Sequence, residues 1–189
     1  MAPTWEALAS DFSAEPSVLI AKVDAEAENS KSTAESQGVK SYPTLKYFPK
    51  GSTTPVPYEG GRSQKDLVDF MNEQAGTHRV IGGGLDAKAG TIAALDTIVG
   101  KFTGRGNMAT ISEEVTKAAE GLQDKYAEYY VKVLEKLGKN QGYAEKELAR
   151  LQGLIRKGGL APEKLDDLTS RSNVLQSFLG KTGEIKEEL

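Results

Sequence analysis

Few side chains in this sequence could carry covalent chemistry. It has no cysteine and a single histidine, His78. Without cysteine there can be no disulfide staple, no thiolate metal site and no thiol nucleophile. A metal site would have to be built from carboxylates alone, and a Ser-His-Asp triad would have to use His78. That histidine sits in a polar, linker-like stretch, where a lone imidazole is usually just solvated. Neither a metal nor a cofactor is expected. Gly104-Arg105-Gly106-Asn107-Met108-Ala109 fits a loose Gly-x-Gly-x-x-Ala pattern, but no strand precedes it, so it does not predict a dinucleotide site. Six residues remain of interest: Lys22 in an apolar run, Pro43 between Tyr42 and Thr44, Arg62 after two glycines, and Tyr126, Tyr129 and Tyr130.

The elements that must position them fall into two halves. Trp5, Leu8 and Phe12 share a face of a helix expected over Pro3 to Phe12. Val18 to Val23 is an apolar, β-branched run of strand length. A modest helix from Ser30 to Gln37 stops at Gly38. Thr44 to Phe48 and Val56 to Tyr58 read as a hairpin turned by Pro49-Lys50-Gly51-Ser52. Ser63 opens a helix with Leu67, Phe70 and Met71 on one side and Gly76 at its end. Residues 79–86, with Gly82, Gly83 and Gly84 in succession, read as a flexible linker; a loop packed between domains is the alternative.

From Ala87 to about residue 180 the pattern is helical throughout. Ile92, Leu95, Val99 and Phe102 form one stripe, broken by Gly104-Arg105-Gly106. Ile111, Val115, Ala118 and Leu122 form the next, with Thr110 and Glu113 as a plausible capping box. Tyr126, Tyr129, Val133 and Leu137 continue it. Gly138 and Gly142 suggest a turn. Ala144, Leu148, Leu151 and Ile155 follow, then Gly158-Gly159. Pro162 suits the first turn of a last helix, whose apolar positions are Leu165, Leu168, Leu175 and Leu179. Four or five helices on short loops imply a bundle with its own core. The tail, 181–189, should fray.

Charge and hydropathy remove other classes. The net charge of −3 offers no basic field for a phosphate backbone, so nucleic acid is not expected as a partner. No apolar run approaches the ~20 residues of a membrane-spanning helix, and Met1-Ala-Pro-Thr-Trp-Glu does not read as a signal peptide.

Several pieces of the first half resemble the protein disulfide-isomerase family. Ala2-Pro3-Thr4-Trp5-Glu6-Ala7-Leu8-Ala9 resembles the helix that follows the family's active-site Cys-Gly-His-Cys. Ala21-Lys22-Val23-Asp24-Ala25 resembles the next strand. Tyr42-Pro43-Thr44-Leu45-Lys46-Tyr47-Phe48 resembles the segment with the cis-proline that faces the active site, and Tyr58-Glu59-Gly60-Gly61-Arg62 the loop before the final helix. The second half resembles the helical D domain that some isomerases share with a small non-catalytic relative in the endoplasmic reticulum.

The resemblance implies an α/β plus all-α chain: a partial thioredoxin-like domain lacking its first two strands (1–78), then a helical D domain (87–180). In that fold the sheet order is 1-3-2-4-5, so Val18–Val23 would be strand three with both neighbours missing. Exposed strand edges invite pairing in trans, and the first 78 residues are expected to be unstable alone.

By resemblance, Pro43 would be the cis-proline that leaves backbone groups free for a bound peptide. Arg62 would be the arginine that favours a cysteine thiolate, and Lys22 the partner of a glutamate this sequence does not contain. Their plain alternatives are a trans edge proline, a surface arginine after a turn, and a lysine reaching to water from an edge. Since exchange requires a thiolate, none of the three could catalyse it alone. The three tyrosines could line a client surface or pack in the core.

Partners implied are unfolded or partly folded secretory proteins and, through Lys186-Glu187-Glu188-Leu189, a retrieval receptor of the endoplasmic reticulum lumen. A retrieval signal without a signal peptide is reconciled by an amino-terminal truncation. The competing reading is a non-catalytic chaperone or client-binding module acting through the helical domain; a dimerising structural domain is a third.

Overall fold

A computed structural model describes residues 1–101 and 107–180. The chain divides into two compact units, Met1–Gly84 and Leu85–Leu189. Phe102, the Gly104-Arg105-Gly106 break and the tail from 181, with its Lys186–Leu189 motif, lie outside the described residues.

The first unit begins with α1 (Ala2–Asp11), with Pro3 in its first turn, where the missing N–H costs nothing. After a 3-10 turn, Glu28–Ser30, comes the short α2 (Lys31–Ser36). Strands β1 (Lys46–Tyr47) and β2 (Val56–Pro57) then pair antiparallel, with Lys46 opposite Pro57 and Tyr47 opposite Val56. The unit closes with α3 (Gln64–Ala75). Ser63 and Asp66 form a reciprocal capping box at its start, and Gly76 ends it in the left-handed region at φ 65°.

The core of this unit is small. Leu8 and Phe12 of α1 meet Leu67 and Val68 of α3, and Trp5, Val18, Ile20, Leu45, Tyr58 and Met71 pack around them. Tyr47 and Tyr58 set their rings edge-on to Phe70, at 5.5 and 4.7 Å between centroids.

Val18–Val23 does not become a strand. The only sheet among the described residues is the β1–β2 pair, so an extended chain here has no ladder to join. Its alternation survives without the hydrogen bonds. Val18 and Ile20 pack inward, while Leu19 is 87% and Val23 63% exposed. The indole N–H of Trp5 holds the segment by donating to the Ala21 carbonyl at 3.1 Å.

The second unit is a five-helix bundle among the described residues: α4 (Ala93–Gly100), α5 (Met108–Ala119), α6 (Lys125–Lys139), α7 (Tyr143–Lys157) and α8 (Pro162–Phe178). Asn107 caps α5 by accepting from the Ala109 N–H at 2.9 Å, so Thr110 lies inside the helix and makes no capping box. Asp124 caps α6 through the Tyr126 N–H at 2.7 Å. Gly138 stays within α6, and the turn falls after Asn140. Pro162 is in the first turn of α8, as expected.

Helix α8 packs against α4, α6 and α7, and Leu168, Val174, Leu175 and Phe178 are buried with Ser170, Ser172, Asn173 and Ser177. Small polar residues serve in this helix because their needs are met locally: Ser172 Oγ donates to the Leu168 carbonyl at 2.8 Å. They also permit close approach. At Gly90, with φ +75°, an added Cβ would lie 2.5 Å from the Ser170 Cβ. Leu165 and Leu122, expected on apolar stripes, are 37% and 43% exposed.

Burial depth separates two leucines experimentally. Leu175→Ala should lower the unfolding free energy of the helical unit by about 2–5 kcal/mol, read from its helical circular dichroism melt. The exposed Leu19→Ala should change stability by less than ~0.5 kcal/mol.

Candidate functional site

The Tyr42–Pro43 peptide bond is cis. Both residues are exposed, and among the described residues their backbone groups make no hydrogen bond. Thr44 Oγ1 donates to the Ser41 carbonyl at 2.6 Å, and Lys46 Nζ donates to the Gln37 carbonyl. The corner is thus anchored on both sides and open in the middle, a surface on which an extended peptide could find backbone partners.

Arg62 is exposed at the start of α3. The two glycines before it are required by contact. The Tyr58 hydroxyl folds back to donate to the Gly61 carbonyl at 2.7 Å. A Cβ at Gly60 would then lie 2.5–2.9 Å from the Tyr58 ring and hydroxyl, and one at Gly61 would lie 2.2 Å from the Asp66 carboxylate. Asp66 is committed to the helix cap, where the Ser63 hydroxyl and N–H hold its pKa below the ordinary carboxylate value. Burial and the nearby Asp66 charge push the Tyr58 phenol up. The loop is shaped by packing and capping, and these 189 residues contain no thiol.

Lys22 lies at the surface and pairs with Glu6 of α1 at 3.1 Å, with both side chains well over half exposed. It is therefore a solvated ion pair. Such pairs contribute little to stability.

The three tyrosines separate by depth. Tyr130 is fully buried; its hydroxyl donates to Asp96 Oδ1 at 2.5 Å and accepts from the Ile92 N–H at 3.3 Å. It fastens the first turn of α4 to α6. Tyr129 is 7% exposed, its hydroxyl has no hydrogen-bond partner among the described residues, and the Arg171 guanidinium lies 5.0 Å from its ring centroid. Desolvation drives both phenol pKa values far above the ordinary tyrosine value. Both belong to the core. Tyr126 is half-buried with Lys125 over its ring at 4.8 Å.

One arrangement escaped the sequence reading. Asp11 and Arg79 are each 3% exposed, and they tie α1 to the segment after α3. The available signal was Asp11 itself, a charge placed between Leu8 and Phe12 on the apolar face of α1. No group of three or more acidic or imidazole side chains among the described residues could hold a metal, and His78 is half-buried.

Comparison with known proteins gives the two units separate matches. Residues 1–73 match the thioredoxin family, and residues 90–178 match the family described as Endoplasmic reticulum protein ERp29, C-terminal domain. The chain is 60% identical over 189 residues to protein disulfide-isomerase tigA of Aspergillus niger, covering 100% of this chain and 52% of that protein. The chain belongs to the protein disulfide-isomerase family. It is 56% identical over 194 residues to protein disulfide-isomerase erp38 of Neurospora crassa, covering 100% of this chain and 53% of the relative. Against protein disulfide isomerase-like 2-2 of Oryza sativa the identity is 38% over 185 residues, with 94% and 49% covered. The chain spans about half the length of these isomerases, and the half it spans holds no cysteine.

Two measurements test this geometry. Gly60→Ala should dislodge Tyr58 from Phe70, seen as an upfield-shift loss of the Tyr58 ring protons in NMR. A second concerns alkaline pH. Tyr129 and Tyr130 ionise at higher pH folded than unfolded, so above about pH 10 the unfolded state releases protons that the folded state retains. Stability of the helical unit should then fall with rising pH, and Tyr129→Phe with Tyr130→Phe should flatten that fall in urea titrations.

Proposed function

We propose that this chain is the carboxy-terminal half of a luminal protein disulfide isomerase of the endoplasmic reticulum, one that forms and rearranges disulfides in folding secretory proteins. The match of the whole chain to about half of each named isomerase carries the reading. In this division of labour the redox chemistry lies outside these residues. Exchange needs a thiolate to attack a disulfide sulfur, and this chain has none. What it supplies is the open corner at Pro43, suited to backbone pairing with an unfolded client, and the helical unit. Lys22 and Arg62 have no catalytic role within these residues, and the retrieval-like Lys186–Leu189 would keep the whole protein in the lumen.

A second reading is favoured by the match over 90–178 together with the missing cysteines: a non-catalytic chaperone that holds clients through the helical unit. The two differ in what the coding sequence next to Met1 encodes. An in-frame Cys-Gly-His-Cys run there supports the isomerase, and its clear absence favours the chaperone.

The isolated chain should reduce insulin no faster than buffer containing dithiothreitol alone. A rate above that control would overturn the assignment of redox chemistry to residues elsewhere.

A further inference from the structure

One edge of the extended segment Leu19–Val23 is open, and a single hydrogen bond shows which. In an extended chain the N–H and C=O of a residue point to one side and those of its neighbours to the other. The Ala21 carbonyl is turned toward α1, where it accepts from the Trp5 indole at 3.1 Å. Ile20 and Lys22 therefore present their N–H and C=O groups on the opposite edge. Among the described residues none of these four groups has a hydrogen-bond partner. Side chains alternate at right angles to the edges. Ile20 packs against the small core, while Leu19 and Val23 are 87% and 63% exposed.

The free groups and the exposed side chains share one centre. About Ala21, Ile20 mirrors Lys22 and Leu19 mirrors Val23. A second copy of the segment, laid antiparallel with Ala21 against Ala21, pairs Ile20 of each chain with Lys22 of the other. Each such pair exchanges two N–H···O bonds, so four groups on each chain are satisfied at once. Leu19 then faces Val23 across a pair without hydrogen bonds of its own, the kind in which side chains lie closest. No like charges meet: Lys22 lies opposite Ile20 and reaches to Glu6 of its own α1 at 3.1 Å. The outward face of Leu19, Ala21 and Val23 carries none of the charges or prolines that blunt an edge. The outer edge of β2 differs in this respect. Leu45 and Tyr47 bond to Tyr58 and Val56, so Pro57 is the residue turned outward, and it has no N–H to offer.

We propose that two copies of this chain join through Leu19–Val23, as an antiparallel pair about a two-fold axis at Ala21. The segment is its own complement in backbone groups and in apolar side chains, which favours a second copy over an unrelated strand. The inference does not rest on the proposed function, and it concerns these 189 residues by themselves.

Because the chain has no cysteine, single introduced thiols can read the register. Light scattering on the 189-residue chain at high micromolar concentration should give twice the mass of one chain. Ala21→Cys should cross-link to itself when diamide is added as oxidant. Leu19→Cys has its counterpart about 13 Å away in this register, beyond disulfide reach, as does Val23→Cys. Each should cross-link at least about tenfold more slowly alone than the two do when mixed. Lys22→Pro removes an N–H that has no partner within one chain, and should return the mass to that of a monomer. Trp5 fluorescence checks that the first unit is kept in that variant; should the unit unfold, the thiol pairs decide. A monomeric native chain overturns the proposal and leaves the edge to a strand from outside these residues. A dimer that survives in folded Lys22→Pro, or Leu19→Cys that cross-links alone as fast as in the mixture, overturns it as well.

Discussion

An extended backbone must hydrogen-bond to something, and among the described residues the N–H groups between Leu19 and Val23 have no protein partner. Much of the first unit follows from that. With no strand among the described residues on either side, the segment is held by side chains: Val18 and Ile20 against the small core, Trp5 on the Ala21 carbonyl, Lys22 on Glu6. Its outer face leaves Leu19 and Val23 in solvent. An exposed apolar edge of this kind is a site for pairing with another chain.

Burial divides accordingly. Among the described residues the core cluster of the first unit comprises four buried apolar side chains, and that of the second seventeen. At roughly 1.5–3 kcal/mol for each fully buried large aliphatic or aromatic side chain, the helical unit holds most of the driving force for folding. Several of its buried polar groups are satisfied internally, the Tyr129 hydroxyl being an exception among the described residues. Tyr130 joins Asp96 and Ile92, and Asn173 of α8 joins the Asp86 and Ala89 carbonyls. The first unit spends its buried polar groups differently, on the Arg79–Glu15 and Asp11–Gly82 contacts that fasten the chain where it leaves α3.

Elements whose periodicity matched their environment were legible in the sequence. The stripes of α6 and α7 gave Tyr129, Val133, Leu137, Leu148 and Leu151 as core, and the capping serine and terminal glycine bounded α3. The likeness to disulfide isomerases was legible too, because its motifs are local. Three things were not. A β-branched run specifies extension but not a partner, so Val18–Val23 read as a strand. Helix α8 is buried over more than a stripe, and its buried serines and asparagine look polar in a sequence. Composition also left residues 79–86 open between a linker and a packed loop, since glycine permits both, and the contacts that Asp11 and Glu15 make with this stretch are tertiary.

Hydrogen exchange across the whole chain, followed amide by amide at a dilution where it is monomeric, tests the central claim most directly. The amides of Leu19–Val23 should exchange close to their unstructured rates while those at the centres of α6 and α8 are the slowest in the protein. Protection of Leu19–Val23 comparable to the β1–β2 pair would mean that this segment is laddered in solution, and would contradict a first unit held together by side chains around an unpaired strand.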